Sequence, residues 1–565
     1  MRVTRSARST LRIALSAPYS AVITGGIARE STSSAGVAVW NAQNAFPGRL
    51  ERSCYPVRKR PVTDPRAWQP LLVLDDDARY EALSARDPRF DGVFFVGVQT
   101  TGIYCRPICP ARTPGRTRCQ FFATPAQAER AGFRACFRCR PELAPGNAPV
   151  DAIDALVAVA TQRIAEGALN DGTIDDLAKE LGVSSRHLRR ATEAKLGVSP
   201  VELAQTSRLA LAKQLLQDTA LPITDIAFAA GFRSVRRFNA TFAERMGTQP
   251  SEIRRTHADA TGEGITLRLD YRAPYDWPHF VEFLRGRTIA GVEIVNDEAY
   301  RRVVHLGGKV GEILVRPAPN GRPALLMTAS PSLLPVLMQV VARVRRMFDL
   351  DAHPEQIARV LGRDKQLAPL VAKRPGLRVP GAIDPFEAAI RAMVGQQVSV
   401  AAATTIAGRF AAQLGAPYAS TIGAARERGP DGSMTRGGAL AYRFPTAAEV
   451  AAAGPDTIGK LGMPRTRGAA IHALATAVAT GTLRLEGVDL DTFVGNLVEM
   501  PGIGPWTANY LAMRALHLPD AFPAADLGVQ KALNRSGARA AEERAEAWRP
   551  FRAYAVLHLW TSLGD

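Results

Sequence analysis

Apolar and polar positions change period several times along the chain, and each change predicts a different element. Over 173–190 the period is helical. Ile174, Leu177, Ala178 and Leu181 fall on one face, Gly182 turns the chain, and Ser184 or Ser185 caps a second helix carrying Arg186, Arg189 and Arg190. The order returns at 223–242, where Gly231 takes the turn and Arg233, Arg236 and Arg237 open the next helix. A long helix near 200–216 is expected between the two. Beyond 263 the period shortens to two. Ile265, Leu267 and Leu269 alternate as in a strand, the stretch from Phe280 to Val295 reads as a helix followed by a strand, and Val303–Leu306 and Glu312–Arg316 read as further strands. A Gly-rich polar stretch at 416–442 is expected to be a disordered loop. The first seventy or so residues have no period. They are rich in Arg, Ser and Ala, match a transit peptide in composition only, and predict a disordered basic leader or an upstream start codon.

At 565 residues the chain predicts three or four domains. A formal net charge of +18 points to a polyanionic partner, nucleic acid first and an anionic membrane surface second. No run of about twenty apolar residues is present to span a bilayer. Six cysteines are too few for a disulfide scaffold of this length, and four are clustered. That favours a reducing compartment and a metal site.

Two stretches carry candidate chemistry. The cysteines fall as Cys105-x3-Cys109 and Cys136-x2-Cys139, a spacing that suits tetrahedral Zn2+ with four sulfurs. Cys119 is left over, and a closed zinc ribbon that only staples a small domain has the same spacing. Leu497–Asp526 is the second stretch. Gly502 and Gly504 can bend the chain and present backbone N–H groups to a phosphate, Trp506 and Tyr510 offer aromatic faces, and Asp526 offers one carboxylate. These are the parts needed to hold a DNA strand, stack a flipped base and assist cleavage at its sugar. A Gly-rich helix–turn–helix with core aromatics, and Asp526 as a helix cap, is the plainer reading.

The residues themselves carry resemblances. Phe95-x-x-Val98-x-Thr-Thr-Gly-Ile-Tyr-Cys105-Arg-Pro-x-Cys109-x-Ala-Arg112, with Ala131-Gly-Phe-Arg-x-Cys136-x-Arg-Cys139-x-Pro141, closely resembles the N-terminal domain of the Ada family of alkylation-response proteins. The resemblance implies that Cys105 takes a methyl group from a DNA phosphotriester. Arg106, Arg112, Arg116, Arg118, Arg134, Arg138 and Arg140 are candidate phosphate contacts. Methylation would take the zinc-thiolate site from a formal charge of −2 to −1 and so strengthen DNA binding. The paired helix–turn–helix patterns resemble the AraC-type DNA-binding domain. Pro274-Tyr-Asp-Trp277, Gly291-Val-Glu293, Pro375–Val400 and Lys460–Arg467 resemble AlkA-type 3-methyladenine DNA glycosylases, whose helix–hairpin–helix body is nearly all helix.

That resemblance assigns Asp526 as the catalytic carboxylate, Trp506, Tyr510 and Trp560 as pocket aromatics, Gln397 as the wedge filling the gap left by the flipped base, and Gly502 and Gly504 as the backbone grip. Trp506 stands where strand-cutting relatives carry lysine, and no cysteine follows Cys139 to hold an iron–sulfur cluster, so a monofunctional glycosylase is expected. No Pro-Cys-His-Arg motif is present, so repair of O6-methylguanine is not.

The expected architecture is a basic leader (1–75), a small α+β zinc domain (76–147), an all-α AraC-type helix-turn-helix domain (148–258), an α+β AlkA N-terminal domain (263–350) and an all-α helix-hairpin-helix glycosylase domain (351–565). The expected partner is double-stranded DNA, with RNA polymerase as a further candidate and no membrane. The expected location is the cytoplasm, on nucleoid DNA. A transcription regulator with an inactive glycosylase half is the rival reading.

Overall fold

The computed structural model describes residues 74–146, 155–254, 264–422, 439–534 and 537–564. The leader up to residue 73, with Cys54, and the middle of the Gly-rich stretch lie outside the described residues.

The front of the described chain is built on a short sheet. Its strands β1 (Phe95–Val98), β2 (Ile103–Cys105), β3 (Cys119–Phe122) and β4 (Arg134–Ala135) take the order β3-β1-β2-β4. β1 pairs antiparallel with β2 and β3, whereas β2 and β4 are parallel, with Ile103 opposite Arg134 and Tyr104 opposite Ala135. The parallel pair decides the chemistry. It lets two segments far apart in sequence end side by side, so Cys105 and Cys136 leave the sheet together.

Seven helices follow. Thr173 caps the helix Ile174–Glu180 in a capping box with Asp176, which satisfies two free N–H groups reciprocally. Gly182, at φ +70°, makes the turn, and Ser184, not Ser185, caps the helix Ser185–Leu196 through His187 N at 3.2 Å. The long helix Pro200–Asp218 leads to the second copy, Ile223–Ala229 and Val235–Met246, with Gly231 at φ +84° between them. Both turns need a left-handed residue, which glycine adopts without strain.

The next piece is a five-stranded antiparallel sheet: β5 (Ile265–Asp270), β6 (Glu293–Val295), β7 (Tyr300–Leu306), β8 (Lys309–Pro317) and β9 (Ala324–Ala329), in the order β5-β9-β8-β7-β6. The alternation at Ile265, Leu267 and Leu269 puts these three side chains in a core with Phe280, Leu284, Val340 and Val344 from the helices Trp277–Arg285 and Leu337–Met347. That core is continuous with Leu209, Leu215, Phe238 and Phe242 of the helical domain and with Phe95 and Tyr104 of the front sheet. The front domains are therefore packed onto the sheet through buried apolar side chains.

From Pro354 onward the described chain is helical apart from one short antiparallel pair, Ala416–Pro417 with Tyr442–Arg443, which closes the ends of the Gly-rich stretch. The core of this body includes Phe386, Phe410, Phe493, Leu511, Trp548 and Leu557. Its helices Leu490–Val498 and Pro505–Arg514 form the hairpin that carries the second site, held from below by buried Leu497, Ile503, Ala508 and Leu511.

Candidate functional sites: a buried carboxylate under three aromatics, and a four-cysteine cluster

Asp526 sits at the start of the helix Leu527–Ala532, with 1% of its surface exposed. Its Oδ1 accepts from Val529 N at 2.8 Å and from Trp560 Nε1 at 2.9 Å, and its Oδ2 accepts from Trp506 Nε1 at 2.8 Å. The helix cap and the two indole hydrogen bonds coexist on one carboxylate. A buried carboxylate needs such donors, because desolvation without them costs several kcal/mol. Trp506 stacks on Tyr510 with ring centres 5.3 Å apart and planes 13° from parallel, while Trp560 meets Tyr510 at 6.4 Å and 42°. Each indole thus presents a ring to its neighbours and an N–H to the carboxylate.

Sequence reasoning missed what lies behind the aromatics. Arg514 Nη1 donates to the Tyr510 hydroxyl at 3.2 Å, and the Arg514 and Arg287 guanidiniums lie 4.6 Å and 3.8 Å from the Phe283 ring centre. Burial alone would push the Tyr510 hydroxyl up. The charges of Arg514, Arg287 and Arg391 outweigh it, and its pKa falls below the usual tyrosine value. Burial pulls Arg514 itself down to about 10. The signal was present only as scattered arginines, two of them far from the hairpin in sequence.

The residues expected as wedge and grip lie at the hairpin and at a neighbouring turn. Gln397 is exposed at the turn between the helices Pro385–Val394 and Val400–Leu414, at a left-handed φ of +57°. Its neighbour Gln396 anchors that turn to the hairpin, donating to Gly502 O at 2.9 Å and Thr507 Oγ1 at 3.2 Å. Gly502 takes φ +76°, and a Cβ there would lie 3.0 Å from Ala470 Cβ. Gly504 differs: it is an extended N-cap at φ −93°, with open space where a Cβ would be. The hairpin bend therefore rests on Gly502 alone.

The second cluster is the cysteine set. The Sγ atoms of Cys105, Cys109, Cys136 and Cys139 all lie within 4.8 Å of one another and are buried. A tetrahedral zinc–thiolate site needs sulfurs about 3.8 Å apart, so the set fits Zn2+. Cys119 is buried but stands apart from it, its Sγ toward Gly115 O at 3.5 Å. Arg106 N donates to Cys139 Sγ at 3.4 Å and Arg138 N to Cys136 Sγ at 3.3 Å; a backbone hydrogen bond from Ala111 reaches Cys109. Among the described residues Cys105 Sγ accepts no backbone N–H.

Several of the surrounding arginines are engaged within the protein. Arg106 is not available to phosphate: it is buried, with Nε 2.8 Å from Asp91 Oδ1, Nη2 on Asp91 Oδ2 and Nη1 3.1 Å from Asp270 Oδ2. Arg140 is held by Glu142 and Asp218, and Arg116 by Asp76 and Asp77. Arg134 lies over the Phe137 ring at 5.5 Å, while Arg112, Arg118 and Arg138 are exposed. In the helical domain Arg186, Arg189, Arg190, Arg236 and Arg237 are exposed on the second helix of each pair. Arg233 differs from expectation. It precedes the Ser234 cap and donates back to the carbonyls of Asn170 (3.0 Å) and Asp171.

Four family models match the chain in this order: the metal binding domain of Ada over 78–142, a helix-turn-helix domain over 177–256, the AlkA N-terminal domain over 266–384, and the HhH-GPD superfamily of base excision DNA repair proteins over 390–551. Fold and sites together define a base-excision DNA repair protein with a zinc-binding and helix-turn-helix front half. A probable bifunctional transcriptional activator/DNA repair enzyme AlkA of Mycobacterium tuberculosis is 40% identical over 501 residues, covering 86% of this chain and 97% of that one. The chain belongs to this family of bifunctional transcriptional activator/DNA repair enzymes. DNA-3-methyladenine glycosylase 2 of Escherichia coli is 35% identical over 52% of this chain and 97% of its own length. The bifunctional transcriptional activator/DNA repair enzyme Ada of the same organism is 34% identical over 34% of this chain and 52% of its own.

Proposed function

We propose that this chain repairs alkylated DNA with its rear half and senses and answers the same damage with its front half. The rear half is a DNA glycosylase that hydrolyses N-glycosidic bonds, and the front half binds zinc and DNA and regulates transcription. The units divide at 76–147, 148–258, 263–350 and 351–565. The rear unit excises alkylated purines of the 3-methyladenine type without cutting the strand. Cys105 accepts a methyl group from a DNA phosphotriester, once per molecule. RNA polymerase is the partner of the regulatory step, and nucleoid DNA is the place of action.

The observation that carries the glycosylase reading is Asp526, buried beneath Trp506, Tyr510 and Trp560 with both oxygens fixed. In the reaction the bond between C1′ and the base nitrogen breaks, its electrons leave with the base, and water supplies the oxygen that adds to C1′. Positive charge grows on the sugar as the base departs. A carboxylate already held by three N–H donors needs no reorganisation to stabilise that charge. Alkylation at a ring nitrogen makes the base cationic, and electron-rich ring faces attract it by about 0.5–2 kcal/mol. The hairpin N–H groups after Gly502 and Gly504 hold the backbone, and Gln397 stands at the exposed turn where a wedge enters the duplex.

For the front half, zinc keeps its sulfur ligands as thiolates, the nucleophilic form. A backbone N–H draws electron density from the sulfur it reaches. Cys105, which accepts none, keeps the most reactive lone pair. That lone pair forms the S–CH3 bond while the methyl–oxygen bond breaks and the phosphate leaves as a diester anion.

Base release from methylated duplex DNA, with wild type beside Asp526→Asn and intact mass recorded on the same samples, tests both halves. Release of 3-methyladenine by wild type alone, with strands intact, supports the rear reading. No release from folded protein leaves a DNA-binding regulator with an inactive glycosylase half. A gain of one methyl group on Cys105 supports the front reading, and a zinc-loaded protein that gains none overturns it.

A further inference from the structure

The four cysteines are equally buried as residues, each 7–8% exposed, so residue burial does not single one out. Hydrogen bonding distinguishes them, and two of the bonds concerned are held in place from other domains. The peptide N–H that reaches Cys139 Sγ belongs to Arg106, whose Nη1 also donates to the Cys139 carbonyl at 3.3 Å. The Arg106 guanidinium is fixed by Asp91 on one side and by Asp270, the last residue of β5, on the other. Arg272, two residues after Asp270, donates to Asp91 O at 3.0 Å and Gly146 O at 2.9 Å and seals the same contact. Gly92, beside Asp91, is pressed against the Pro145 carbonyl so closely that no side chain fits. The other held sulfur, Cys136, is treated alike. Lys213, fully buried on the long helix Pro200–Asp218, donates to the Cys136 carbonyl and to Glu142 Oε2, both at 2.7 Å.

We propose that Asp270, acting through Arg106, and Lys213 are positioning residues for methyl transfer: the two domains that follow the cysteine site clamp Cys139 and Cys136 into their N–H···S hydrogen bonds and so leave Cys105 as the one reactive thiolate. The inference rests on the reading of Cys105 as methyl acceptor. It makes the glycosylase half's own sheet a working part of the front site, since Asp270 lies within the segment matching the AlkA N-terminal domain. Groups in the shell around a metal's ligands tune those ligands, and their loss typically costs about 10–100-fold in affinity or activity.

The test uses the full-length zinc-loaded protein and methyl iodide, a small electrophile that needs no DNA binding. The thiolate lone pair takes the methyl group and iodide leaves. Peptide mapping then locates the methyl in wild type, Asp270→Asn, Asp270→Glu and Lys213→Met, with zinc content and base release measured alongside. The expected result is methylation at Cys105 in wild type. In Asp270→Asn the rate at Cys105 falls about tenfold and methyl appears on Cys139; in Lys213→Met it appears on Cys136. Asp270→Glu restores much of the selectivity, and zinc content and base release stay at wild-type levels throughout. Variants that react at Cys105 alone at the wild-type rate overturn the inference, as do variants whose only defect is lost zinc. A wild type that takes no methyl overturns the acceptor reading instead.

Discussion

The indole N–H of Trp560 lies 2.9 Å from Oδ1 of Asp526, and thirty-four residues of chain separate the two. The tryptophan therefore does two things at once, offering an aromatic face and holding the carboxylate. Trp560→Phe keeps the face and removes the donor. A hydrogen bond to a charged group is worth about 1.5–3 kcal/mol, so base release should slow by about tenfold or more. Substrate affinity should change little. Asp526→Asn should lose about 100–1000-fold, the scale seen when a preorganised charge-stabilising group is removed. Single-turnover rates and binding isotherms on the same damaged duplex check both, and equal kcat for wild type and Trp560→Phe would falsify the positioning part.

The cysteine set should carry a single zinc ion, and the front domain should depend on it. Four thiolates this close repel one another without a cation, and metal binding of this kind is itself folding free energy. A strong chelator, or Cys109→Ser, should unfold the front sheet while the glycosylase body keeps its helices. Metal analysis and thermal melting read this directly; a melting curve indifferent to chelator would contradict it.

Arg186, Arg189, Arg236 and Arg237 project from the second helix of each pair, the element that enters the major groove in such domains. Replacing any one by alanine should weaken binding to undamaged duplex. Where the arginine meets phosphate, the slope of log affinity against log salt should fall by about one. Where it meets a base edge, preference at that base should relax, by about 1–3 kcal/mol. Anisotropy titrations at two salt concentrations separate the cases. A fourfold alanine variant binding as wild type does would remove these helices from the interface. Arg233→Ala should instead lower stability, because its guanidinium is spent on the carbonyls of Asn170 and Asp171.

His558 contributes to the pH dependence, beside His353, which burial and the charges of Arg272 and Arg378 pull down to about 2. His558 is buried in the helix Arg552–Ser562, and burial, with repulsion from His279 and Arg374, pulls its pKa from 6.5 down to about 4. The unfolded chain binds this proton more readily than the folded one. The stability from keeping the ring neutral is complete above about pH 6.5 and is lost as pH falls toward 4, by about 3 kcal/mol. The melting temperature should drop across that window, and His558→Gln should make the drop smaller, the remainder being the share of His353. Identical slopes for the two proteins would assign the acid sensitivity elsewhere.

The sequence by itself determined the elements and the chemistry that local spacing carries. Period-two alternation at Ile265–Leu269 gave β5, helical periodicity with Gly182 and Gly231 gave the paired helix–turn–helix units, and Cys-x3-Cys with Cys-x2-Cys gave a four-sulfur metal site. In each case the physical constraint acts within a few residues: a pleat, a turn that needs positive φ, a pair of ligands on one loop. The strand β9 was not foreseen, since its register depends on β5 and β8 on either side. Only the tertiary structure decided which charges are spent inside the protein. Arg106 beside Cys105 and Arg233 just before the helix Val235–Met246 read as surface cations in sequence, yet their partners are Asp91 and Asp270 in one case and two helix-end carbonyls in the other. Those partners are set by how whole domains pack, and the energy of a buried ion pair depends on burial and geometry at both ends at once. The same holds for Asp526. Its place in the chain named it as a candidate, but its two indole donors, twenty and thirty-four residues away, meet it only because the hairpin and the helix Arg552–Ser562 close over one core.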